Sequence, residues 1–238
     1  MTTTNGSDAV LPSLNFQTPD SPRIKVFIVD DHPVVRQGLS LLLSMEPDLV
    51  CCGQAETILE AMRGIETTRP DVAVVDLSLR GASGLELVKK LHACNPELPV
   101  VVLSMHDETL YAERVLKAGA MAYVMKDEAQ CTILTAIRKV KAGGLYLSER
   151  MSGRLLSMFL QGPNAPGNSR IGQLSDREIE VFELIGRGIT TREIAGQLNL
   201  SIKTVEAHRE HIKNKMKLAD ATQLLQHAIH WVQNEGQP

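Results

Sequence analysis

Five times between Ile24 and about Tyr146, a short β-rich run gives way to a stretch with helical spacing. The runs are "IKVFIV", "LVCCGQA", "DVAVVD", "PVVVLSM" and "MAYVM". Between and after them lie Val34–Met45, Ile58–Thr67, Gly84–Ala93, Leu110–Ala118 and Ala129–Ala142, each with apolar residues three to four apart. Strands that alternate with helices pair in parallel, because a parallel crossover needs room for a helix. Runs such as "VAVV" and "VVVL" are apolar without alternation, as expected of strands covered on both faces. The expected fold class is therefore α/β: a doubly wound, five-stranded parallel sheet.

The rest of the chain follows another pattern. Residues 147–172 contain "QGPNAPGNSRIG" and read as a linker. From Gln173 to Trp231 no strand-like run occurs, and breaks at "GRGIT", "NLS" and "KLAD" divide the segment into four helices, a small all-α unit. Ser175, Thr190, Ser201 and Asp220 stand where N-caps belong, and Glu178 makes a capping box with Ser175. The expected organisation is a tail over 1–22, an α/β domain over 23–146, the linker over 147–172 and a helical domain over 173–238.

Composition narrows the class further. The net charge of −3 excludes a generally basic chain, but from Arg170 onward nine Lys/Arg balance nine Asp/Glu. Between Lys203 and Lys217 five basic residues meet two acidic ones, a local excess that points to nucleic acid. The four cysteines show no metal-ligand spacing and read as reduced, mostly buried thiols of a cytoplasmic protein. The first 22 residues lack the basic start and apolar stretch of a signal peptide and read as disordered. No apolar run reaches the ~18 residues of a membrane helix.

In a doubly wound sheet, functional side chains collect at the carboxyl ends of the strands. At or just after the ends of these runs stand Asp30 and Asp31, then Asp76, Ser104 and Lys126. Three carboxylates, a hydroxyl and an ammonium would share one crevice. Crowded carboxylates favour a hard divalent cation that keeps some of its waters, which points to Mg2+. Asp76 would be a carboxylate nucleophile for a phosphoryl group, with the metal and Lys126 neutralising the incoming oxygens.

The motifs "VDDHPVVRQGL", "DVAVVDLSLRGASGLEL", "VVVLSMHDE" and "AGAMAYVMKD" make residues 24–146 resemble a response-regulator receiver domain. Residues 173–235 resemble a LuxR-type helix-turn-helix, and the order of the two is similar to the NarL/FixJ class of two-component regulators. The resemblance implies that Asp76 is the phosphoacceptor and that Asp30 and Asp31 bind the metal together with Asp76 and the Ser78 carbonyl. It implies that Ser104 binds the arriving phosphoryl group, that Tyr123 is the switch aromatic and that Lys126 pairs with the phosphoryl group. Arg80 stands where the family commonly has proline, and Ala122 where glycine is frequent. His106 lies near the entrance of the implied site.

In "LSDREIEVFELIGRGITTREIAGQLNLSIKTVEAHREHIKNKMKL", Thr191–Gln197 and Ile202–Met216 form the two helices of the helix-turn-helix. On a wheel centred on Val205, Ile212 and Met216 fall within about 20° and make the buried stripe, with His208 at its margin. The N-terminal half of the second helix enters the major groove in such motifs. Glu206, Ala207 and Glu210 would then meet base edges, while Lys203, Thr204, Arg209 and Lys213 would hold phosphates. Trp231 in the last helix suits either the core or an interface, with the core favoured. The expected function is a DNA-binding transcription regulator, not an enzyme, that receives a phosphoryl group from a histidine kinase, binds double-stranded DNA and forms a homodimer on phosphorylation. An aspartyl-phosphate hydrolase would need an Asp-x-Asp pair and a cap domain, neither of which this chain offers.

Overall fold

The computed structural model describes residues 22–79, 82–105, 108–153, 156 and 170–235. The tail, most of the linker, Arg80 and His106 lie outside the described residues. The α/β part runs β1 (Ile24–Val29), α1 (Pro33–Ser44), β2 (Leu49–Ala55), α2 (Ile58–Thr68) and β3 (Val72–Asp76). It continues with β4 (Ser78–Leu79), β5 (Ala82–Ser83), α3 (Gly84–Cys94), β6 (Val100–Ser104), α4 (Glu108–Lys117), β7 (Ala122–Met125) and α5 (Ala129–Lys141). Five strands form a parallel sheet in the order β2-β1-β3-β6-β7. The antiparallel pair of β4 with β5, directly after Asp76, has no counterpart in the sequence reading because two-residue strands carry no periodicity.

The period-2 geometry of strands divides the core in two. Phe27, Val29, Ala73, Val75, Val100 and Val102 face α2, α3 and α4. Val26, Ile28, Val72, Val74, Val101 and Leu103 face α1 and α5. Cys52 packs against the first cluster and Cys51 against the second, as neighbours on a strand must. Both are half-buried and Cys94 is exposed, so the expectation of mostly buried thiols does not hold for them.

The helical part comprises a 3-10 turn (Arg170–Gln173), α6 (Asp176–Gly186), α7 (Thr191–Gln197), α8 (Ile202–Met216) and α9 (Ala221–Glu235). Its starts are written in the cap residues. Ser175 and Thr190 each close a full capping box, with Glu178 and Glu193, and Ser201 accepts from the Thr204 backbone N–H. Asp220 Oδ1 accepts from the Gln223 N–H. Trp231 is buried, its ring 5.3 Å from that of Phe182. A Cβ on Gly186 would lie 2.4 Å from the Ala228 carbonyl oxygen, so this position must be glycine for α6 and α9 to meet. Three buried glutamates of α6 are charge-paired: Glu178 with Lys215, Glu180 with Arg177 and Glu183 with Arg187.

The region read as a linker has structure at both ends, since 149–153 are helical and 170–173 form the 3-10 turn. Ser148 Oγ accepts from the Met151 N–H, and Met151 is buried. The two parts also touch directly. Arg114 of α4 donates to the carbonyls of Leu174 (2.8 Å) and Ile171 (3.2 Å) and to Asp176 Oδ1 (3.1 Å). Lys89 of α3 reaches Asp176 Oδ2 at 3.3 Å.

Candidate functional site

Parallel strands of similar register end together, which brings Asp30, Asp31, Asp76 and Ser104 to one edge of the sheet. Asp30, Asp31 and Asp76 are 1%, 7% and 1% exposed, and Ser104 is fully buried. Lys126 Nζ lies 2.8 Å from Asp30 Oδ2 and 2.7 Å from Asp76 Oδ2, bridging the two carboxylates. Burial alone would push the Lys126 ammonium down, but Asp76 and Asp30 reverse this and hold it above its ordinary value. Burial raises Asp76 to about 6; the Lys126 charge opposes the rise and Asp30 adds to it. One ammonium therefore does not neutralise the pocket.

The backbone aims these groups. The Ser78 N–H donates to Asp76 Oδ1 at 3.1 Å, and the Lys126 N–H donates to the Ser104 carbonyl at 2.7 Å, fixing the loop after β7. Tyr123, the expected switch aromatic, is turned inward at 2% exposure. The Ala122 backbone pairs with Val101, and its methyl is buried.

Sequence reasoning missed two residues at this site. His32 closes the acid pair from outside, with Nδ1 2.9 Å from Asp31 Oδ1 and 3.2 Å from Asp30 Oδ1. Its place directly after two aspartates was the available signal. Gly84 opens α3, and a Cβ there would sit 1.9 Å from the Asp76 carbonyl oxygen. The first turn of α3 thus closes against the backbone of Asp76 itself, a contact between residues eight apart that no local pattern announces.

Lys203, Thr204, Glu206, Ala207 and Glu210 on α8 are exposed, and Arg209 and Lys213 are half-buried. Thr204 Oγ1 lies 2.8 Å from Ser201 Oγ, and Lys213 Nζ is 2.7 Å from Glu210 Oε1. Val205, Ile212 and Met216 are buried, as the wheel requires. Among the described residues the helix packs on α6, α7, α9 and the 3-10 turn, and its opposite side, with Lys203, Glu206, Ala207 and Glu210, is exposed although the α/β part is docked.

Two family models match the chain: the response regulator receiver domain over residues 26–138 and the bacterial regulatory proteins, luxR family, over 172–228. The oxygen regulatory protein NreC of Staphylococcus carnosus is 35% identical over 212 residues, covering 87% of this chain and 97% of its own. The chain belongs to the NarL/FixJ-type response regulators.

Among solved structures, RcsB of Salmonella typhimurium matches with a TM-score of 0.60 and 25% identity, over 88% of this chain and 98% of that one. RcsB of Salmonella enterica serovar Typhimurium, bound to promoter P1flhDC with the phosphomimetic BeF3−, matches with a TM-score of 0.56 and 26% identity, over 87% and 98%. Members of this family are phosphorylation-controlled transcription regulators and not enzymes; a histidine kinase and DNA are their partners. Receiver domains typically bind Mg2+ in an acidic pocket, and this response regulator has such a pocket. Among the described residues no helix is long and apolar enough to cross a membrane.

Proposed function

We propose that Asp76 is the phosphoacceptor of this regulator, and that its buried carboxylate, bridged to Asp30 by Lys126, is the observation that carries the assignment. A pocket with three acids and one ammonium retains net negative charge, which fits a divalent cation held by Asp30, Asp31, Asp76 and the Ser78 carbonyl. Mg2+, when bound, supplies the charge that lets an anionic donor approach. Asp76 is ionised above about pH 6 and attacks the phosphorus with a carboxylate oxygen. Meanwhile the bond from phosphorus to the donor breaks, and its electron pair leaves on the donor atom, the imidazole nitrogen when the donor is the kinase's phosphohistidine. Lys126 then exchanges a carboxylate partner for a phosphoryl oxygen, and the Ser104 hydroxyl takes another. Movement of Ser104 towards the phosphoryl group opens space that Tyr123 fills by turning further inward.

The boundaries near residues 146 and 173 separate the phosphorylated domain from the DNA-binding one. Glu206, Ala207 and Glu210 read bases, while Lys203, Thr204, Arg209 and Lys213 hold phosphates. The open face of α8 argues against occlusion as the inactive mechanism and favours restrained dimerisation in the cytoplasm, with phosphorylation shifting a pre-existing equilibrium.

Incubation with a small phosphoryl donor and Mg2+ tests the assignment. A single phosphate on Asp76, lost in Asp76→Asn and lost on chelation, is expected. Mass mapping to any other residue, or labelling undiminished by chelator, overturns it.

A further inference from the structure

A second ligand cluster lies in the helical domain, away from the acid pocket. Glu178 of α6 faces His208 and His211, one turn apart on α8, and one ligand atom from each lies within 4.8 Å of the others. The two oxygens of Glu178 are divided between tasks. Oε2 accepts from the Ser175 N–H and from Lys215 Nζ, both at 2.6 Å. Oε1 faces the histidines, with His211 Nδ1 at 3.8 Å, too far for a hydrogen bond. A ligand held by one oxygen while the other stays anchored is how supporting hydrogen bonds orient metal-binding carboxylates.

We propose that Glu178 Oε1, His208 and His211 form a zinc site that joins α6 to the second helix of the helix-turn-helix. Two imidazoles and a carboxylate are a zinc donor set that leaves the fourth position to water. Neighbouring ligand atoms in a tetrahedral zinc centre stand about 3.3 Å apart given bonds of about 2.0–2.2 Å, so small side-chain rotations suffice.

Two cations oppose a metal here, and they differ. Arg177 is already paired with Glu180. Lys215 competes directly for Glu178, so the site carries its own antagonist. On the helical wheel His208, Lys215 and His211 occupy one flank beside the buried stripe, which Thr204 shares, while Lys203, Glu206, Glu210 and Lys213 lie on the other side. An ion there ties α6 to α8 and leaves Glu206, Glu210 and Lys213 on the opposite side of the helix.

The test is calorimetric titration of the full-length protein with zinc chloride in saturating Mg2+, alongside thermal melts. One zinc per chain is expected, with a higher melting temperature. His211→Ala changes an exposed residue and should retain the fold while losing at least about tenfold in zinc affinity. Glu178→Gln should lose affinity too, and Lys215→Gln should gain it, because the competitor is gone. Zinc binding that is equal in wild type and His211→Ala, absent from wild type, or weakened by Lys215→Gln overturns the proposal.

Discussion

Arg114 of α4 holds Asp176, the first residue of α6, through an Nη1–Oδ1 contact of 3.1 Å, and the same guanidinium takes the carbonyls of Leu174 and Ile171. One side chain of the receiver thus secures the start of the DNA-binding domain. Beneath it Tyr111, on the same helix, is 1% exposed. Burial first, then Glu183 and Glu180, push its hydroxyl well above the ordinary tyrosine range, so it stays neutral at the domain contact.

Replacing Arg114 by alanine should release this docking. The contacts are few and partly exposed, so the free-energy change is expected to be modest, about 1–3 kcal/mol. Small-angle scattering should show a larger radius of gyration in unphosphorylated Arg114→Ala, with DNA affinity at matched low concentration moving towards that of the phosphorylated protein. An unchanged radius would show that the docked arrangement does not depend on Arg114.

The raised pKa of Asp76 predicts a pH-dependent cost in stability. Between its ordinary value of 3.8 and about 6, the native state keeps a proton that the unfolded chain releases. Stability attributable to this group therefore falls as pH rises through that window and stays low above it. Without Mg2+, Asp76→Asn should be more stable than wild type at pH 7.5 by about 1–3 kcal/mol, and the gap should narrow below about pH 6. Denaturant melts at the two pH values measure it; a gap that widens on acidification contradicts the assignment.

Lys213 and Glu210 are ion-paired at 2.7 Å before DNA arrives, so the lysine exchanges a carboxylate for a phosphate on binding. Lys213→Ala should weaken all DNA sequences similarly and reduce the salt slope by about one contact. Glu210→Ala should change preference at particular base pairs by about 1–3 kcal/mol. The two effects should not add in the double variant, because the residues touch. Equal effects of both on every sequence would place Glu210 off the base edges.

Gly84→Ala should damage the acid pocket from behind. The new methyl collides with the Asp76 carbonyl, and relief requires either α3 or the end of β3 to move. A loss of about 1–3 kcal/mol in stability is expected, together with slower phosphorylation by a small donor. A variant that melts lower but is phosphorylated at the wild-type rate would show that only α3 yields.

Much of this was legible along the chain. The apolar runs of β3 and β6 announced burial on both faces, and strand ends at Asp30, Asp76 and Ser104 announced one shared edge. Both follow from short-range rules, the period of a strand and the geometry of parallel crossovers. The cap residues Ser175, Thr190, Ser201 and Asp220 likewise act within three or four residues of themselves.

What the tertiary structure alone decided involves groups far apart in sequence. Asp30 and Lys126 are 96 residues apart, yet 2.8 Å separates their charged atoms, and the same ammonium reaches Asp76. Arg114 and Asp176, 62 apart, meet only because one domain docks on the other. Gly84 is obligatory only because α3 folds back onto Asp76, and Glu178 faces two histidines only because α6 crosses α8. Local preference sets which segments become strands and helices and where each begins. Desolvation and charge pairing between distant side chains, which exist only after packing, set the protonation and partners of the groups that do the chemistry.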